Sequence, residues 1–238
     1  QAAVNGDITI VFNDSEASKN FYGGGNFGAV DGSTDLTISN SSVGESLFAG
    51  GNGATAVVKG NTSLDANNVE VTNYVYGGGN QSSVSGDVSV KFIDSTTNDS
   101  LFGGGNNGEV GGSTDVYVSN SSIGDSLYAG GNGSTAIVKG STLLNVDGTT
   151  TVTNHVFGGG NAAATGTEEE NNSNSIVNIA GATIGKNVYG GANTSVLYGI
   201  VLLNIGQDVV TDSSLIPGDI KIGGTVFGGG EANASGSE

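Results

Sequence analysis

The sequence predicts an all-β protein, a parallel β-helix (β-solenoid) of about eight coils of 26–29 residues, each with room for three short strands. Three observations predict it. Residues 1–66 laid over 81–146 agree at 36 of 66 positions, and 71–80 then match 152–161. The chain is therefore a duplication, 1–80 and 81–161, followed by a diverged third, 162–238, and is expected to be one domain over 1–238. Inside each repeat, an aliphatic–aromatic–small–Gly–small–polar motif recurs at 21–26, 47–52, 75–80, 101–106, 127–132, 156–161, 188–193 and 226–231. Between the motifs lie short runs alternating apolar and polar residues, and no segment has a helical period.

The strongest runs are 7–12, 35–39, 87–92 and 115–119. Alternation puts Ile8/Ile10, Leu36/Ile38, Val88/Val90 and Val116/Val118 on one face. The motif supplies a second strand, and weaker runs such as 55–59 and 135–139 supply a third. A propeller blade takes ~40 residues, so the shorter unit fits one solenoid coil. Each strand then pairs with its counterpart one coil away, stacking equivalent residues at ~4.8 Å, and crossover chirality favours a right-handed path. Tyr22, Phe48, Tyr76, Phe102, Tyr128, Phe157, Tyr189 and Phe227 form one such column, expected as an internal stack. The small residues after it allow a tight corner. The closing Asn26, Asn52, Asn80, Asn106, Asn132, Asn161 and Asn193 are expected to ladder their amides and to take left-handed geometry, with Glu231 breaking the column.

Composition narrows the function. With 44 Gly but a single proline, Pro217, a collagen triple helix is excluded. Acids number 23 against six Lys and no Arg, so the formal charge of −17 repels nucleic acid and acidic lipid. The absence of Cys removes disulfides and thiolate metal sites. No apolar run approaches the ~18 residues that signal a membrane span. Without Met, the chain is expected to be a processed protein or part of a larger parent with other domains, in an extracellular setting.

The repeated Val-Tyr-Gly-Gly-Gly-Asn and Val-Phe-Gly-Gly-Gly-Asn units, with Ile184-Gly-Lys-Asn-Val-Tyr and Ile222-Gly-Gly-Thr-Val-Phe, resemble repeat regions of bacterial cell-surface β-solenoid adhesin-like proteins. The resemblance spans nearly the whole chain. It implies a secreted or wall-associated stalk or binding module, with no sorting signal or recognised carbohydrate-binding motif to specify the ligand.

Polysaccharide cleavage on a β-helix needs two carboxyls ~5–10 Å apart in different environments. Asp7, Asp35, Asp87 and Asp115 open strands expected to be equivalent, and Asp14 and Asp94 recur after them. Repetition marks such acids as architectural. His155 replaces Tyr74 of the first repeat and is expected to stack rather than act as a base. No catalytic residue is assigned, and the chain is not expected to be an enzyme. Oxygen ligands favour calcium over any other metal, with Asp7 over Asp35 and Asp87 over Asp115 as the place for it, although a solvated acidic edge without cofactor is the expected state. An ice-binding Thr face fails, because Thr9, Thr37, Ser63, Ser89, Tyr117 and Leu143 do not repeat. Two insertions, 168–174 and 207–218, break the period and are where specificity is expected, with Glu168, Glu169, Glu170, Asp208 and Asp212 as candidate binding residues. The expected function is an adhesive or spacer module facing a glycan or a host or neighbouring-cell surface protein. The alternative is a polysaccharide-active lyase or hydrolase.

Overall fold

The computed structural model describes residues 2–169, 173–206 and 215–231. They build one β-solenoid of eight coils, all strands parallel, with no helix among the described residues. The first coil shows the path: a single bridged residue, Val4; the long strand Ile8–Asn13; a corner; Glu16–Ala17; a turn; Phe21–Tyr22; and a glycine corner leading to Val30. Long strands stack in the register Ile8, Thr34, Thr62, Val88, Thr114, Thr142, Ser175 and Val201. The weak third run shrinks to one bridged residue per coil, Val58 or Val138 for example. A two-residue strand beyond the corner is added instead, as at Thr96–Thr97.

This register is two residues away from the expected alignment of the first strands. Asp7 lies over Ser33, not Asp35, because Ile8 pairs with Thr34; Asp87 likewise lies over Ser113. A two-residue slip keeps every side chain on its face, so alternation could not reveal it. The outward columns change accordingly. One reads Thr9, Asp35, Ser63, Ser89, Asp115, Leu143, Ile176, Leu202.

Inward stations fill the lumen with aliphatics. Leu36, Leu64, Val90, Val116, Leu144 and Val177 stack in one column and Ile38, Ala66, Phe92, Val118, Val146 and Ile179 in the next, all buried. Each such burial contributes roughly 1.5–3 kcal/mol for the larger side chains. At the head of the strands Thr34, Thr62, Thr114 and Thr142 also point inward. Their hydroxyls donate to the carbonyls of Ala49, Gly77, Ala129 and Gly158 at 2.6–2.9 Å, so no donor there is left bare.

The left-handed non-glycine residues sit one position past the sixth stacked residue of the long strand, within the strand at Asn40 and Asn68 and just after it in the other coils, and not in the motif's Asn column. Asp14, Asn40, Asn68, Asp94 and Asn120 have φ of 48–54°, and Gly148 has 64°. Asp, Asn and Gly are the residues that take this conformation at least cost. Asp94→Val is expected to lower stability by about 1–3 kcal/mol, through steric strain at the β-branched carbon. Asp94→Gly should stay within about 1 kcal/mol of the parent. Urea denaturation of the two variants checks this, and equal losses would refute the corner's conformational role.

Candidate functional site

On the two-residue strand of the second to seventh motifs the aliphatic residue (Leu47, Val75, Leu101, Leu127, Val156 and Val188) joins the lumen core and the aromatic takes the opposite face. The eight rings make one continuous stack with centroids 4.7–5.1 Å apart and planes within 10° of parallel. The stack is internal over its middle six rings, as expected, but it is a second column distinct from the aliphatic core. Beside it the asparagine amides ladder without a break: each Nδ2 from Asn52 to Asn193 donates to the Oδ1 of the previous coil's asparagine at 2.7–2.9 Å. Tyr76 Oη lies 3.3 Å from Asn106 Oδ1 and accepts from Asn132 Nδ2 at 3.4 Å, tying rings to ladder.

Tyr74 and His155 occupy one station and lean on the stack's edge. Tyr74 lies 5.9 Å from Tyr76, and His155 lies 5.8 Å from Phe157 and 5.9 Å from Tyr189. His155 Nδ1 accepts the Asn187 N–H at 3.3 Å, and burial holds the imidazole pKa below its usual value. The ring therefore leans on the aromatic stack as an uncharged hydrogen-bond acceptor at pH 7.

Burial pushes the Tyr76 phenol far up and that of Tyr128 up to about 12. Both folded pKa values exceed the unfolded value near ~10. The associated stability is fully present below pH ~10 and is lost as pH climbs from ~10 through ~12, where only the unfolded chain releases the protons freely. Alkaline denaturation followed by phenolate absorbance should show this loss. Normal titration of every tyrosine in the folded protein would contradict it.

Two grooves run across the coils. One, of about 530 Å³, follows the starts of the long strands from Asn61 to Ile176 and is lined by Ser63, Asp87, Ser89, Ser113, Asp115, Leu143 and their neighbours. Its rim is fixed by one hydrogen-bond chain. Oxygens of Asp7, Ser33, Asn61, Asp87, Ser113 and Ser141 each accept the backbone N–H of the next coil's equivalent residue at 2.8–3.1 Å. The other groove, also about 530 Å³, follows the left-handed corner over the early coils and carries Asp14, Glu16, Glu70 and Asp94 beside Asn40 and Asn68.

Of the residues expected to bind, Glu168 and Glu169 alone lie among the described residues. Glu168 and Glu169 are exposed before the long strand Ser173–Ile179, whereas the second insertion leaves after Gly206, at the far end of a long strand. Glu170, Asp208 and Asp212 lie outside the described residues. The proposed calcium pairs are corrected by the register: Asp7 caps the Ser33 N–H and Asp87 the Ser113 N–H. Among the described residues no three Asp, Glu, His or Cys side chains gather in a metal-binding group. Lys59 and Lys139 pair with Asp31 and Glu109 of the preceding coil at 2.7 Å. Sequence reasoning missed the grooves, because they are built by stacking and have no local motif.

Comparison with known protein families, curated proteins and solved structures finds no match to this chain. Among the described residues, no helix is long and apolar enough to cross a membrane.

Proposed function

We propose that this chain is a non-catalytic, extracellular module of a bacterial surface protein, an adhesive stalk that holds a glycan chain along the groove at the long-strand starts. One observation carries the reading: the groove crosses several coils and repeats hydroxyl and carboxylate groups at the coil spacing, each rim oxygen locked by the next coil's N–H. Such pre-fixed acceptors suit sugar hydroxyls, and Leu143 and Ile176 offer apolar surface to sugar C–H faces. Many weak contacts along a rigid ladder give avidity without a deep pocket.

Against a polysaccharide-cleaving role, the groove acids Asp87 and Asp115 repeat Asp7 and Asp35 of the first half, as architectural groups do. A glycan array probed with the purified chain tests the proposal. Specific binding without hydrolysis is expected, at least tenfold weaker after Ser89→Trp, which fills the groove. Silence on every glycan would leave only the spacer role, and turnover would replace the proposal with the enzyme.

A further inference from the structure

We propose that Asp147 and Ser119 hold one calcium ion beneath residues 215–218, the end of the second insertion, which lies over the solenoid there. The Asp147 carboxylate is fully buried, at 0% exposure. Its Oδ2 accepts from Tyr117 Oη at 3.0 Å and from the Ile216 N–H at 2.7 Å, while its Oδ1 has no hydrogen-bond partner. No ion pair among the described residues involves it. Directly beneath, Ser119 is its partner in the parallel register, and the Ser119 hydroxyl is likewise buried without a partner.

A carboxylate taken out of water with one oxygen bare is strongly disfavoured unless a cation compensates it. The two bare oxygens belong to adjacent strands ~4.8 Å apart. An ion between them at bond lengths of roughly 2.3–2.6 Å reaches both, and an all-oxygen donor pair suits a hard cation such as calcium. Position supports the assignment. The same station is Asn13, Ser39, Asn67, Ile93 and Ser119 in the earlier coils, so the acid enters only where the chain folds back over it. There Ile216 O accepts the Gly148 N–H at 2.9 Å, Gly218 N–H donates to Ala180 O at 3.0 Å, and Leu215 is buried. The ion would latch this return leg to the sixth coil. With only two side-chain ligands, affinity falls in the weak class, about 10⁻⁴–10⁻³ M.

The test is thermal melting of the chelator-stripped chain with calcium added to about 10 mM, against sodium at matched ionic strength. The wild type should gain about 3–10 °C from calcium. Asp147→Asn should gain nothing. Ser119→Ala, which removes a ligand and leaves the return leg intact, should melt like wild type in chelator and lose most of the gain. That comparison stands even if Asp147→Asn does not fold. No gain in wild type overturns the site. An equal gain in wild type and Ser119→Ala overturns it too, since calcium would then be screening the acidic surface.

Discussion

Gly104→Val is expected to cost about 3–5 kcal/mol and to leave little folded protein at 37 °C. The middle glycine of the motif is Gly in all eight coils: Gly24, Gly50, Gly78, Gly104, Gly130, Gly159, Gly191 and Gly229. A Cβ on Gly104 would sit 2.8 Å from Gly131 N and 2.9 Å from Gly131 Cα, both backbone atoms of the next coil. No rotamer relieves that contact, so the coils must part, and the Gly104 N–H to Gly130 O bond of 3.0 Å sits at the same point. Gly229→Val is the internal control. It has the same motif position, but nothing lies within 4 Å of its would-be Cβ, so its loss should stay within about 1 kcal/mol. Circular dichroism and urea titration of the pair decide the matter. Comparable stability would mean that the glycines serve chain flexibility and not the close approach of coils.

The pair also shows where the sequence is legible. Period-two alternation and the recurring motif were enough to place the aromatics in one column and the amides in one ladder, because both motifs stand at a fixed distance from their own glycine corner. The long strands are anchored less firmly. Over the first six coils the spacing there switches between 26 and 28 residues, and the variation can be absorbed on either side of the strand. Asp7 and Asp35 therefore looked equivalent, while the hydrogen bonds put Asp7 over Ser33. The left-handed corner was legible in principle, since Asp14, Asn40, Asn68, Asp94, Asn120 and Gly148 are all residues that tolerate positive φ. The neighbouring Asn26 column drew the assignment by its greater regularity.

Asp147 illustrates the opposite limit. In the sequence it is one acid among 23, aligned with Asn67 of the first repeat. Its burial comes from Ile216, 69 residues onward, and no local pattern encodes that contact. The grooves are invisible for the same reason: their walls are single residues contributed by successive coils, brought together only when register is fixed. Repetition thus makes the frame readable. Departures from it carry the individual chemistry, and those depend on long-range placement.

Phe102→Ala should lower stability by about 3–5 kcal/mol and change the shape of the unfolding curve as well as its midpoint. Phe102 is 2% exposed, stacked 5.1 Å from Tyr76 on one side and 4.7 Å from Tyr128 on the other, with Tyr74 at its edge. Truncation removes two ring stacks and leaves a void that the neighbouring rings cannot close, because each is fixed by its own coil and by the amide ladder. Stability in a stacked array is a sum of coil terms and nearest-neighbour couplings. Weakening the fourth coil weakens its coupling to both the third and the fifth, so the two halves of the solenoid should begin to unfold separately. The urea transition is then expected to broaden, with a smaller apparent m-value, where the wild type gives one sharp step. Phe227→Ala removes the same ring from the last coil, where it is 42% exposed and stacks on Tyr189 alone at 4.9 Å. Its loss should be less than half as large, with the transition left sharp. A Phe102→Ala transition as steep as the wild type's, merely shifted, would mean that the coils are coupled over more than their nearest neighbours. The aromatic column would then contribute burial without acting as the axial tie.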